Sequence, residues 1–174
     1  MTSFLRFAGI LNAAVWCGAA VFLIIGLPAV FSDELKKSLG QMGVGLAAEA
    51  IVGRFFILQY CCGAIGLLHL TLEWLYSRKP ILQRNLVILL VLIAFALAGG
   101  LWIQPKLKDL HHTKYLGATP ALRDEAAHAF NAWHGASECG NLLVIGGLLM
   151  YLWRTSRPGD QARFGSLNLG KIRG

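Results

Sequence analysis

Charged side chains are scarce in this chain of 174 residues, where Asp, Glu, Lys and Arg together make up 14%. A soluble domain carries about 25%, so an ordinary water-facing surface is excluded for most of the length. Acids are the scarcer sign, 9 against 16 basic residues, for a formal net charge of +7. That excess does not point to nucleic acid, because it gathers in polar gaps next to apolar runs. No cysteine lies in a polar connection, which excludes an extracellular disulfide framework. Cys17, Cys61, Cys62 and Cys139 each sit near the middle of an apolar run. There is no Walker loop, Rossmann fingerprint, HExxH, GxSxG or CxxC, and no nucleophile–base–orienter set, so an enzyme is the least favoured class. No internal repeat or pair of broken helices signals a small transporter.

What the chain does have is long hydrophobic runs, at about 7–31, 49–76, 82–104 and 128–153. Each offers roughly the 20 residues a helix needs to cross a bilayer. They predict an all-α integral membrane four-helix bundle over residues 1–155, followed by a basic polar tail, 156–174, expected to be disordered. The first run is too long for a signal peptide's apolar core, contains Trp16, and ends in Gly26-Leu27-Pro28-Ala29-Val30-Phe31 rather than a small-residue cleavage site, so it is kept as a span. The second gap holds Arg78, Lys79 and Arg84 without an acid. The stretch after the last span holds Arg154, Arg157, Arg163, Lys171 and Arg173 against Asp160 alone. The positive-inside rule then places both termini in the cytoplasm and the first and third connections outside. The expected setting is a bacterial inner membrane, with the lipid bilayer as the first partner.

Local signals set the expected boundaries. Ser32-Asp33-Glu34 opens a short surface helix, and Gly40, Gly43 and Gly45 read as a flexible lead into the second span. Trp74-Leu75-Tyr76 before Arg78-Lys79 is an interface pattern. Leu86 to Leu101 is nearly pure hydrocarbon, the best lipid-facing candidate, and Gln104-Pro105 closes it. Thr119-Pro120 reads as an N-cap with proline at N1. The fourth helix then starts ahead of the membrane and reaches Trp153, a length of about 50 Å.

Two runs carry polar stripes. Gln59, Cys62, Gly66, His69 and Glu73 share one face of the second helix, and His128, Asn131, His134, Gly135, Glu138 and Asn141 share one face of the fourth. Lipid satisfies neither stripe, so the two are expected to turn inward toward each other. They serve either as interhelical hydrogen-bond glue or as a ligand, metal or proton site. Arg54 with Glu138 is the expected ion pair, the competing placement being Arg54 snorkelling to the headgroups. His134, His128 and Glu138 are the metal or cofactor candidates. His128 and His134 lie about 120° apart on the helix, so they are no i, i+4 zinc pair, and His111 or His112 has to fold back to complete a site. His69 lies near the inner end, level with Met150, where a His–Met haem pair is formally available. The four cysteines are packing residues or soft-metal ligands.

Gly26-Leu27-Pro28-Ala29-Val30-Phe31, Gly53-Arg54-Phe55-Phe56 with Tyr60, Gln104-Pro105, and Phe130-Asn131-Ala132-Trp133-His134-Gly135 with Ser137 and Asn141 together resemble landmarks of a bacterial and eukaryotic domain-of-unknown-function family. That family includes the relatives of human transmembrane protein 205. The resemblance covers about residues 5–153. It implies a four-helix membrane protein, remotely related to copper-resistance D-like and haem-carrying four-helix proteins. The resulting expectation is a non-enzymatic membrane protein handling haem or a copper or zinc ion at a polar intramembrane site. His134 and His128 act as ligands there, Glu138 as ligand or counter-charge, and Arg54 as its balance. The alternative is an accessory subunit of a larger respiratory or photosynthetic complex, or a homo-oligomer.

Overall fold

The computed structural model describes residues 2–77 and 83–156. The expectations for Arg78, Lys79 and the basic tail lie outside the described residues. The described chain is all helical: α1 Thr2–Val30, α2 Asp33–Ser77, α3 Gln83–Ala98, a π-helical turn Gly99–Ile103, α4 Gln104–Leu116 and α5 Pro120–Ser156. Four helical stretches are long and apolar enough to cross a membrane, which implies contact with a lipid bilayer.

The start of α5 follows the sequence expectation. The Leu122 N–H donates to Thr119 Oγ1 at 3.3 Å, and Pro120 occupies the first helical position, where a missing N–H does no harm. The lead into the second span differs from the expectation. Asp33 and Glu34 open a helix where their charge suits the dipole, and only Gly40, at φ 71° and ψ 166°, leaves the helical region. That angle suits glycine alone, and it bends the short 33–39 segment away from the long one. Gly43 and Gly45 are helical rather than a loose lead.

The largest departure is at Gln104-Pro105, which does not end the third span. A proline inside an α-helix loses one hydrogen bond, and its ring strikes the carbonyl four residues back. Here the Gln104 N–H donates to the Gly99 carbonyl instead, five residues back. This π turn makes room for Pro105, and the helix continues to Leu116. Gly99 and Gly100 let the turn press on α2, because a Cβ at either would overlap Phe56, and at Gly100 also the Tyr60 hydroxyl.

The helices pack as a ring, α1 beside α2 and α5, and α3 beside α2 and α5. No backbone contact joins α2 to α5 among the described residues, so these two lie on the diagonal. Trp16, Tyr151, Leu89 and Leu148 fill the core near one end. Asn12 on α1 is buried there and donates from Nδ2 to the Cys62 carbonyl at 2.9 Å. Replacing Asn12 with alanine removes one buried hydrogen bond, worth about 1 kcal/mol. The melting temperature in detergent should fall by about 2–4 °C. An unchanged melting temperature would show that this bond adds nothing.

At the opposite end, the first turns of α2, all of α4 and the first turns of α5 form a three-helix cap, with α4 in the middle. Tyr115 Oη on α4 reaches Gln41 Oε1 on α2 at 3.4 Å.

Candidate functional site

The polar stripes share a space without touching. Because α2 and α5 sit on the diagonal, the middle of the ring is open toward the cap. A cavity of about 790 Å³ fills it. Its walls are mostly apolar, with Phe55 and Phe56 from α2, Leu27 from α1 and Phe95 from α3. Gln59 from α2 and His134, Ser137, Glu138 and Asn141 from α5 add polar groups. A second cavity of about 390 Å³ adjoins it under α4 and shares His134, Ser137 and Phe56 with it. Both volumes fall in the range of ligand pockets.

The smaller cavity has a charged mouth. Glu49 of α2 is four residues beyond Gly45, so both face α4. His111 of α4 is buried, and its Nδ1 lies 3.3 Å from Glu49 Oε1. That distance makes an ion pair when the imidazole is protonated, but the approach is off hydrogen-bond geometry, and neither atom has another partner. Lys108 Nζ stands 3.8 Å from Glu49 Oε2. Gly45 supplies the slot, since a Cβ there would overlap the His111 ring. The Tyr115 and Phe130 rings lie 5.0 and 6.0 Å from His111, centroid to centroid. Lys114 Nζ sits over the Tyr115 ring at 5.4 Å and over the Phe130 ring at 5.5 Å. Phe130 in turn stacks on His134 at 5.7 Å, which links the mouth to the larger cavity.

The predicted site residues divide accordingly. His134 and Glu138 are together, Nε2 to Oε1 3.2 Å, one turn apart on α5. His128 is exposed, as are Asn131 and Arg54. The expected Arg54–Glu138 ion pair is not formed, because the diagonal separates α2 from α5. Gln59, Cys62, Gly66 and His69 are buried, but Glu73 faces out. The lower part of that stripe packs on α1 and α3 rather than on α5: Cys62 meets Asn12, Gly66 meets Leu89, and His69 meets Gly9. Met150 is exposed, so it does not pair with His69. Cys17 and Cys62 are buried, whereas Cys61 and Cys139 are exposed. Among the described residues, no group of three or more His, Cys, Asp or Glu is placed to hold a metal ion.

Sequence reasoning had His111 in view without joining it to Glu49. The missing signal was the helix beyond Pro105. Read as helical, 104–116 puts Lys108 and His111 on one face, three residues apart. Comparison with curated proteins and with solved structures gave no match. The family model described as Domain of unknown function (DUF4149) matches residues 11–115, which include Glu49, the π turn and His111. That stretch is well over half of the chain, and the protein belongs to this family.

Proposed function

We propose that the protein is a non-enzymatic integral membrane protein that holds one small amphiphilic molecule in the space between α2 and α5. It lies in a bacterial inner membrane, with the cap outside and both termini in the cytoplasm. The observation that carries this reading is the pair of adjoining cavities, apolar in their depth and charged at one mouth. Ligand pockets have that make-up, a hydrophobic lining with a few polar groups that fix orientation. Metal or haem handling by His134, His128, Glu138 and His69 has less support, because these residues stand at three separate places and only His134 and Glu138 meet. The expected soft-metal cysteines are likewise divided between core and surface.

Ser137 lines both cavities from α5, so Ser137→Trp should plug the passage between them. Native mass spectrometry of the detergent-purified protein should show a bound amphiphile on the parent chain and none on this variant. Its melting temperature and gel-filtration profile serve as the check on folding. The same adduct on a folded Ser137→Trp protein would rule out the cavity as the site.

A further inference from the structure

Resting on that amphiphile reading, we infer that the occupant is a single-chain monocarboxylate, a long-chain fatty acid. Its head lies at Lys114 and its chain fills the larger cavity.

Depth is the first argument. Trp133 and Trp153 are both on α5, 20 residues or about 30 Å apart, which matches the hydrocarbon thickness of a bilayer. Trp102 is exposed and packs edge-on against Trp133 at 6.0 Å. Trp74, Tyr76 and Trp153 are exposed near the other end. Tryptophan and tyrosine collect at the two membrane interfaces, so these residues mark both boundaries. Counted from them, Phe130 lies about 5 Å and Glu49 about 8 Å beyond the hydrocarbon, at the level of the headgroups. Gln59 and Asn141 lie about 8 and 12 Å inside it. The charged mouth is therefore at headgroup depth and the larger cavity at acyl depth, in the order of an amphiphile standing in its leaflet.

Charge is the second argument. Among the described residues lining the mouth, Lys36 is matched by Asp33 at 3.5 Å and Lys108 by Glu49 at 3.8 Å. Lys114 has no carboxylate and rests on two aromatic rings. One ammonium is left uncompensated, which suits one negative charge. A phosphate monoester brings about two and leaves the mouth overcharged.

Size is the third. Taking each chain carbon as about one water's share of liquid, roughly 30 Å³, an eighteen-carbon chain needs about 540 Å³. The cavity of about 790 Å³ has room for one such chain.

The test is displacement of radiolabelled palmitate from the protein in phosphatidylcholine nanodiscs, using palmitate, hexadecanol and hexadecyl phosphate as competitors. Palmitate should compete about tenfold better than hexadecanol, the usual worth of a hydrogen bond to a charged group. Lys114→Gln should bring that ratio close to one while hexadecanol binding stays unchanged. Equal competition by hexadecanol, or a preference that survives in Lys114→Gln, overturns the carboxylate assignment and leaves the cavity reading standing. Stronger competition by hexadecyl phosphate overturns the single-charge argument. Absent palmitate binding overturns the fatty-acid assignment alone, whereas palmitate binding indifferent to Ser137→Trp overturns the cavity as the binding place.

Discussion

Gly45→Val should loosen the cap and lower the melting temperature in detergent by about 6–12 °C, a destabilisation of about 3 kcal/mol. Gly45 is buried, and any Cβ there runs into the imidazole of His111. The ring has little room to swing away, since Tyr115 and Phe130 flank it on the same side of α4. Overpacking of this kind is relieved by moving a helix, and α4 is the one joined to α2 by few contacts. If the proposed amphiphile is bound there, the variant should also hold it more weakly, because Glu49, Lys108 and His111 lose their alignment. A second substitution identifies the cause. His111→Ala on the Gly45→Val background should recover most of the lost melting temperature without restoring tight binding. A Gly45→Val protein as stable as the parent would show that α4 is not held at this point, and the cap would lose its basis as part of the site.

The second large effect lies at the other end of the bundle and has two opposite signs at one contact. His69 is buried, both ring nitrogens lack a partner, and the ring takes up the space left by Gly9 of α1. Gly9→Val should destabilise by about 3 kcal/mol, since the new carbons occupy the place of the imidazole. His69→Leu should do the reverse. A buried donor or acceptor without a partner costs about 1–3 kcal/mol, and leucine has a similar size and no polar atom. The melting temperature should rise by about 2–12 °C. A fall on His69→Leu would show that the imidazole has a partner that matters, and His69 would return as a functional candidate.

The sequence made the spans legible because their signal is additive. Four runs of about 20 apolar residues each cannot be satisfied in water. The start of α5 was legible for a local reason, Thr119 before Pro120. Polar residues at steps of three and four correctly placed Gln59 and Asn141 on inward-facing positions. The pairing of elements was not legible. Helical periodicity gives the direction of a side chain on its own helix and says nothing about which neighbour stands there. With α2 and α5 on the diagonal, Glu138 meets His134 on its own helix rather than Arg54, and His69 meets Gly9 of α1. The proline at position 105 was misread because its usual meaning, a helix stop, holds only for an α-helix. Two glycines before it and the bulky Phe56 and Tyr60 on α2 permit a wider turn. Nothing in a local reading of residues 99–105 reveals those neighbours.

The π turn at Gly99–Ile103 has one more consequence, for how the chain tolerates insertion and deletion. A π turn holds one residue more than the α turn it replaces. Upstream of it the helix keeps step with the membrane-facing pattern of α3, and downstream it keeps step with the cap. The two halves of one continuous rod are thus a single residue out of phase. Deleting Gly100 would remove that extra residue, so the Pro105 ring would strike the carbonyl four residues back and the rod would kink or break between span and cap. The cap would then lose its seat on α2, and His111 its place beside Glu49. In this stretch, the number of residues matters as much as their identity.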